Sequence, residues 1–250
     1  MKKQIRLLLR FAGLFGTGPG YRLWRQVRAR KLENIRIPNA RFPIALRERT
    51  SDLATFYQVF VNNEYRIEFP QNPKVIIDGG ANVGMFSVYV KNKYPQAMLI
   101  AVEPDRTNFE VLAKNMANYE NVHCENAGLW SKDTGLRIHD KYQMGKWAMV
   151  VEETTDRPDL QAISLSTLFS KYGLERVDIL KLDIETSEKA VFSEGFEEWL
   201  PKVKMLVVEL HDWMEPGCAK PFFEAVNKCF GNYKYSMKGE NTIITNLDLE

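Results

Sequence analysis

Three ionisable side chains follow two long apolar runs, where they could remove a proton or position a reacting group. Asp183 and Glu185 follow the run VDILKL, and His211 follows VKMLVVEL. Uninterrupted apolar runs predict buried parallel strands, whose carboxyl ends meet at one edge of a sheet. We therefore predict these residues as catalytic, with Glu185 and His211 as base or as groups that orient an acceptor. The structural alternatives are a hydrogen-bonded buried histidine and an acid favoured by a helix N-terminus.

A hard cation such as Mg²⁺ could be held by Asp183, Glu209, His211 and Asp212. Glu209 and Asp212 adjoin His211 in the sequence, and carboxylate oxygens are ligands that Mg²⁺ prefers. Nothing in their spacing requires an ion, so Mg²⁺ is permitted here but not expected. The three cysteines and three histidines lack the spacing of a zinc cage or a disulfide framework, and this cysteine usage indicates a reducing compartment.

The stretch VIIDGGANVG, residues 75–84, reads as a strand followed by a glycine loop. Such a loop lets a ligand approach bare main chain at the edge of an open sheet. Asp78 would repel a pyrophosphate but suits an ammonium group, such as that of S-adenosylmethionine. The alternative is a turn with a packing role, since one G-x-x-x-G is weak evidence. The predicted cofactor-binding residues of the loop are Asp78, Gly80, Ala81, Asn82 and Gly84.

Residues after the next strands extend this predicted cofactor site. Glu103 ends the run MLIAVE, where an acid accepts hydrogen bonds from ribose hydroxyls. An NAD-dependent oxidoreductase could place an acid there too, so Glu103 indicates a nucleoside without selecting one. Asn126 follows the third strand, where an adenine would dock, and Asp183 is a further cofactor candidate.

The order of the elements predicts an α/β fold. Apolar strands alternate with helical patterns from residue 74, which indicates a doubly wound, mostly parallel sheet covered on both faces. The last two strands, YKYSM and NTIITN, are close enough to form an antiparallel hairpin, giving seven strands in a Rossmann-like arrangement. A further hairpin is predicted from GLRIHD and KWAMVV.

Several stretches together resemble the FkbM family of S-adenosylmethionine-dependent methyltransferases. They are LRERTSDLATFYQVFVNNEY, VIIDGGANVG, AVEPD, NAGLWS, VDILKLDIE and VVELH, which span roughly residues 45–246. The resemblance implies a class I methyltransferase fold and methyl transfer to a hydroxyl of a sugar, glycolipid or polyketide-type acceptor. It also implies that Ser51, with Thr50 and Asp52, closes over the methionine end of the cofactor, and a helix cap is the alternative. Tyr142 and Trp147 are predicted to line the acceptor pocket, with packing as the alternative for Trp147.

One position departs from the family pattern K-x-D-x-E-G-x-E. Thr186 replaces the glycine in KLDIETSEK. A threonine would be strained if this position needs a positive φ, and harmless if it only opens a helix. The departure keeps a non-catalytic S-adenosylmethionine-binding protein as an alternative to the enzyme.

The charge is divided unevenly along the chain. Residues 1–49 contain 13 Lys and Arg but 2 Asp and Glu, although the whole chain has a net charge of +2. We predict a basic helical N-terminal extension over 1–49 and a methyltransferase domain over 50–250. The apolar stretch near residue 11 is too short to span a bilayer, which favours a cytoplasmic protein.

Residues 1–31 mix these basic side chains with Leu, Phe and Trp, the composition of an interfacial helix on anionic lipid. They predict peripheral contact with the inner face of a membrane, and a solvated arm is the alternative. No base-reading motif accompanies the charge, so nucleic acid is not an expected partner. The sequence makes no prediction of oligomeric state.

Overall fold

The computed structural model describes residues 2–139 and 150–249. Within these ranges eleven strands form one sheet of seven strands and one of four. The strands are β1 Val75–Gly79, β2 Met98–Val102, β3 Val122–Glu125, β4 Gly128–Trp130, β5 Thr134–His139, β6 Val150–Thr154, β7 Leu160–Ser164, β8 Ile179–Leu182, β9 Met205–Glu209, β10 Tyr233–Lys238 and β11 Asn241–Asn246.

Helices cover the large sheet and precede it. They are α1 Lys2–Phe15, α2 Thr17–Arg28, α3 Asp52–Phe56, α4 Met85–Lys93, α5 Arg106–Met116, α6 Leu165–Lys171, α7 Glu188–Val191 and α8 Ala219–Cys229. A π-helical turn, Tyr57–Val61, continues α3, and two 3-10 turns lie at Phe196–Glu198 and Leu200–Lys202. The helix predicted over 50–65 is therefore α3 with its π-helical extension.

The seven-stranded sheet has the order β3-β2-β1-β8-β9-β11-β10. Pairing is parallel from β3 to β9, and β11 runs antiparallel to both β9 and β10. The order in which strands are added to the sheet reverses between β1 and β8: β2 and β3 extend one side, and β9 to β11 extend the other. This switch point creates a crevice at the carboxyl ends of β1 and β8. The predicted seven-stranded, mostly parallel sheet with its terminal antiparallel hairpin is confirmed.

Successive strand residues bury on opposite faces of this sheet, as the two-residue period of a strand requires. Ile76 and Leu99 join the hydrophobic cluster that includes α4, α5 and the N-terminal helices. Ile77 and Ile100 join a second cluster with α6 and α8. A hydrophobic cluster covers each face of the sheet. This explains why the strands are continuous apolar runs rather than alternating patterns.

The four-stranded sheet was only partly predicted. Its order is β4-β7-β5-β6, and the predicted hairpin corresponds to the antiparallel pair β5 and β6. Tyr142 and Trp147, together with most of the second predicted hairpin strand, lie outside the described residues. The strands β4 and β7 were missed because β4 has three residues and β7, LQAIS, is not an apolar run.

The N-terminal helices pack onto the large domain. Phe11, Leu23 and Val27 are buried in the same cluster as residues of β1 and β2. The break between α1 and α2 is at Gly16, with φ 84°, rather than across the whole predicted hinge 16–20. Among the described residues, no helix combines the length and apolar character needed to cross a bilayer.

Gly80 has a packing role in the loop that follows β1. Its φ is +70°, and a Cβ built there would lie 1.8 Å from the main-chain oxygen of Asp183. The glycine loop therefore touches the main chain after β8 directly. Any side chain at this position would push the two segments apart.

We predict that Gly80→Ala destabilises the fold by about 3 kcal/mol or more, since it adds a main-chain clash to an unfavourable φ. Gly173→Ala is the matched control, because Gly173 also has a positive φ, +60°, but a Cβ added to it would meet no atom within 4 Å. It should lose only about 1–2 kcal/mol. Urea unfolding of both variants measures the difference, and equal losses would contradict the packing role.

Candidate active site

A cavity of about 450 Å³ lies at the carboxyl ends of the central strands. This volume is within the range of small-molecule sites. Of the predicted site residues, the cavity is lined by Gly80, Ala81, Asn82, Glu103, Asp183, Glu185 and His211. The structure therefore brings the predicted cofactor loop and the predicted catalytic residues to one space. Four other predicted residues, Asp78, Gly84, Ser51 and Asn126, are not among its described lining residues.

The glycine loop is held against the end of β2 by main-chain hydrogen bonds. The amides of Gly80 and Ala81 both donate to the carbonyl of Val102, at 3.0 and 2.9 Å. Asn82 adopts a left-handed φ of 50°, which asparagine tolerates better than most residues. Its Oδ1 is buried and has no hydrogen-bond partner among the described residues, so it is an available acceptor beside the cavity.

Glu103 connects the loop to the start of α5. Its carboxylate accepts from the Asn82 amide at 2.7 Å, the Asp105 amide at 3.0 Å and the Asn108 side chain at 3.2 Å. A carboxylate has about four acceptor positions, so about one is left for a ligand hydroxyl without rearrangement. Burial raises the pKa of Glu103 to about 7, against the opposing effect of these hydrogen bonds.

Asp78 lies behind the cavity wall with no exposed surface. One of its oxygens accepts from the Ser87 hydroxyl at 2.6 Å, and the other lies 3.3 Å from the Lys181 ammonium. Lys181 itself lines the cavity and donates to the carbonyl of Gly80 at 2.9 Å. Asp78 therefore acts on the loop through Lys181 and Ser87, and its direct contact with a cofactor stays a prediction.

A charged bridge joins the N-terminal segment to the same region. Arg47 bonds both oxygens of the fully buried Asp52, at 3.0 and 2.8 Å, and donates to Asn108 at 2.6 Å. Asn108 in turn bonds Glu103. Ser51 precedes α3 without capping it through its side chain, and its predicted cofactor contact stays a prediction.

Asn126 holds the end of β3 to the chain after β2. Its amide donates to the carbonyls of Glu103 and Pro104, at 2.8 and 3.0 Å. Gly84 has a φ of +84° and a Cβ there would meet Leu112, so its described role is local conformation and packing. The contacts of Asn126 and Gly84 with a cofactor also stay predictions.

The opposite side of the cavity is rich in carboxylates. Burial, followed by the charge of Asp183, raises the pKa of Glu185 to about 7. The same two causes raise the pKa of Glu209 to about 7. Carboxylates with these values can accept a proton near neutral pH, which suits general-base chemistry.

His211 is held by a second buried acid. Its Nδ1 lies 3.1 Å from Oε1 of Glu188, which has no exposed surface and also accepts from the Ile184 amide at 2.9 Å. Burial would lower the pKa of His211, but Glu188, Asp183 and Glu209 outweigh it and raise the pKa to about 9. Without a further ligand, His211 is cationic at neutral pH, which favours acceptor orientation over the role of base.

The loop between β8 and α7 has an unusual main chain. Glu185 has a φ of 48° and Thr186 a φ of 77°. The position where the family pattern has glycine therefore does adopt a left-handed conformation, and a β-branched threonine there is strained. The strain lies in the segment that presents Glu185 to the cavity.

Several residues of the site were not predicted. Lys181 and Trp213 belong to this group, together with Arg47 and Asn108. A lysine inside the apolar run VDILKL was the available signal, because charged residues are rarely buried unless paired. Trp213 lines the cavity while exposing 72% of its surface, and nothing in its sequence position indicated that.

Comparisons with known proteins agree with this geometry. A family model described as the methyltransferase FkbM domain matches residues 78–237. Methyltransferase sdnD of Sordaria araneosa is 32% identical over 206 residues, which are 68% of this chain and 78% of that protein. The 31-O-demethyl-FK506 methyltransferase FkbM of Streptomyces tacrolimicus is 21% identical over 170 residues, covering 55% of this chain and 65% of its own length.

A solved structure shares the architecture. The crystal structure of methyltransferase FkbM from Methylobacillus flagellatus KT aligns with a TM-score of 0.52 and 11% identity, over 97% of this chain. This chain spans 59% of that one, so the likeness concerns the fold.

The sheet order defines a Rossmann-like fold of the class I methyltransferase type, with the cavity at its switch point. The chain belongs to the FkbM methyltransferase family. The family predicted from the motifs is confirmed, and membership favours a methyltransferase over an NAD-dependent oxidoreductase.

The strain at Thr186 predicts an inverted order of stability between two variants. Thr186→Gly should be more stable than Thr186→Ala by about 1 kcal/mol, because glycine adopts the left-handed conformation freely. The control is Glu110, an exposed residue of α5. At this position the free energy of unfolding of Glu110→Ala should exceed that of Glu110→Gly by about 1 kcal/mol. Thermal or urea unfolding gives both orders, and an alanine advantage at both positions would contradict the strain.

Proposed function

We propose that this protein transfers a methyl group from S-adenosylmethionine to a hydroxyl oxygen of a small-molecule or glycan acceptor. The observation that carries the proposal is the composition of the cavity. Glu103 and the glycine loop line one side, and Asp183, Glu185 and Glu209 line the other. This arrangement offers a nucleoside site beside a group of acids suited to hydroxyl chemistry.

The residues of the cofactor side fit S-adenosylmethionine. The free acceptor position on Glu103 suits a ribose hydroxyl, and the unpartnered Oδ1 of Asn82 suits an ammonium donor. Leu129, Leu136 and Leu160 supply an apolar wall for a base ring. When bound, S-adenosylmethionine supplies a methyl group on a sulfonium sulfur that is already a good leaving group.

The acids of the other side would handle the acceptor. A hydroxyl oxygen becomes a better nucleophile as its proton is removed, and the Glu185 carboxylate is the candidate base because it lines the cavity on a constrained loop. Asp183 and the His211–Glu188 pair would orient the acceptor oxygen. The apolar wall of the cavity would help to exclude water from the reacting groups.

Two features support a neutral or cationic polyol, such as a sugar, as the acceptor. The acids of the acceptor side would repel an anion and can each accept hydrogen bonds from hydroxyl groups. Trp213, exposed at the cavity, offers an aromatic face for the apolar side of a ring. A polyketide-type acceptor is the second candidate, since the relative from Streptomyces tacrolimicus is named for methylating 31-O-demethyl-FK506.

Cofactor binding should strengthen with pH if Glu103 receives the ribose. With its pKa near 7, Glu103 is mostly protonated at pH 6 and mostly ionised at pH 8, and only the ionised form is a full acceptor. S-adenosylhomocysteine should therefore bind about tenfold more tightly at pH 8 than at pH 6. Calorimetry measures this ratio. Glu103→Gln should bind weakly at both pH values, and an unchanged tenfold ratio in that variant would assign the effect to another group.

Methyl transfer itself is tested with S-adenosylmethionine labelled in its methyl group and a panel of methyl glycosides, amino sugars and hydroxylated macrolides. We expect label in at least one acceptor, with Glu185→Gln slower by about 10²–10⁴ and cofactor affinity nearly unchanged. Glu194→Gln, an exposed acid outside the cavity, is the control. Tight cofactor binding without labelling of any acceptor would favour the non-catalytic alternative.

We also propose that α1 and α2 lie against the anionic cytoplasmic leaflet of a membrane. Residues 1–31 contain nine Lys and Arg and no acid. Ile5 and Leu9 expose 52% and 64% of their surfaces one helical turn apart, beside the exposed Arg6. Phe11, in the same helix, is buried against the domain. This combination of exposed apolar and basic side chains supports shallow insertion among acidic lipids.

Flotation of the full chain with vesicles tests this contact. We expect binding to vesicles that contain phosphatidylserine at low salt, little binding to pure phosphatidylcholine, and release as salt rises. Ile5→Gln with Leu9→Gln should reduce the bound fraction at least about fivefold, since apolar burial is lost. Met237→Gln, an exposed apolar residue on β10, should not. A double variant that still floats like the original chain would contradict the proposal.

A further inference from the structure

Three side chains at the ends of β8 and β9 converge on one point. Asp183, Glu209 and His211 each offer one ligand atom, and these atoms lie within 4.8 Å of one another. Asp183 divides its oxygens between neighbours. Its Oδ2 lies 3.7 Å from Lys181, and its Oδ1 lies 3.7 Å from His211 Nε2. One oxygen therefore faces the shared point while the other is neutralised by the lysine.

The orientation of His211 is a separate observation that points to an ion. Glu188 lies 3.1 Å from Nδ1, so that nitrogen keeps its proton and Nε2 is the ring atom that faces the cluster. A cation bound there would displace the proton of Nε2. Nε2 is 3.7 Å from Asp183 and 3.6 Å from Glu209, beyond hydrogen-bond length. The side chain is only 4% exposed. A buried imidazole locked by an outer carboxylate is how proteins orient a metal-binding histidine.

We infer that Asp183, Glu209 and His211 bind one divalent cation of the first transition row, with Mn²⁺ as its representative. One imidazole nitrogen and two carboxylate oxygens suit such an ion better than Mg²⁺, which favours oxygen alone. Adjacent ligands of an octahedral ion are about 3.0 Å apart at bond lengths near 2.1 Å. The distances from Nε2 to the two carboxylates, 3.7 and 3.6 Å, would have to shorten by about 0.6–0.7 Å to reach this spacing. Glu209 also approaches Glu64 and Glu240, but that group has no imidazole and Glu240 is exposed.

The role that we assign to this ion rests on the proposed function. An ion at this place would bind the acceptor hydroxyl oxygen and make its proton easier to remove, leaving the proton to Glu185. Asp212, considered from the sequence as a fourth ligand, instead accepts from the amides of Gly217 and Ala219. The remaining ligand positions would be open to water and to the acceptor.

The test uses the untagged full chain after chelator treatment and Mn²⁺ alone as the probe. Loss of the free-ion electron paramagnetic resonance signal should report one site. Electron spin echo modulation of the bound ion should show coupling to a ¹⁴N nucleus, which needs no variant. Absence of saturable binding, or binding without nitrogen coupling, would overturn the inference.

Variants assign the site. His211→Gln should remove the nitrogen coupling, and Glu188→Gln should weaken Mn²⁺ binding about 10–100-fold because it alters the support of the imidazole. Glu240→Gln is the matched control and should bind normally; loss of binding there would move the ion to the other acidic group. Thermal unfolding confirms that each variant is folded.

Binding is measured without cofactor or acceptor, so the two proposals fail separately. Methyl transfer that persists in a chain unable to bind Mn²⁺ overturns the metal site alone. Mn²⁺ binding in a chain that binds no S-adenosylhomocysteine overturns the proposed function alone.

Discussion

The buried ion pair of Lys181 and Asp78 connects the parts of this site. Lys181 touches the Asp78 carboxylate on β1, the Gly80 carbonyl in the loop and the Asp183 carboxylate after β8. Burial would lower the pKa of Lys181, but the charges of Asp78 and Asp183 outweigh it and raise the pKa. Removing either partner of a buried pair leaves an uncompensated charge, which costs several kcal/mol. The glycine loop and the chain after β8 therefore keep their relative positions through one ammonium group.

A second network extends this order outward. Glu103 receives hydrogen bonds from the loop and from α5, and Arg47 attaches the N-terminal segment to the same helix through Asn108. The basic extension is thus joined to the sheet by both a shared hydrophobic cluster and a charged bridge. The position of the N-terminal extension therefore depends on the same contacts that shape the predicted ribose site.

The sequence was sufficient for the parts of the fold that rest on periodic burial. The central strands are apolar on both faces, so their runs predicted β1, β2, β8 and β9 and the edge at which they meet. Seven predicted site residues line the cavity because strand ends and the glycine loop fix where they emerge. The same argument could not find β4 and β7, whose stability comes from pairing in a small second sheet.

Contacts between residues that are distant in the sequence could not be predicted. Asp78 was predicted as a ligand for a cofactor ammonium, and the structure adds an ion pair with a lysine 103 positions later in the chain. His211 was predicted as a base or as a group that orients the acceptor, and Glu188, Asp183 and Glu209 raise its pKa above the usual value. In both cases the partner lies far away in the sequence or belongs to a different strand or helix. Only the three-dimensional fold defines such partners.

The close approach of Gly80 to Asp183 bears on how this glycine would change in evolution. Because the absence of a side chain is required by the meeting of two main-chain segments, selection for a folded protein alone would retain it. A descendant that had lost catalysis would still keep this glycine. Retention of Gly80 in a relative is therefore a record of a preserved fold, and the predicted site residues Glu103, Glu185 and His211 would be the better markers of inherited activity.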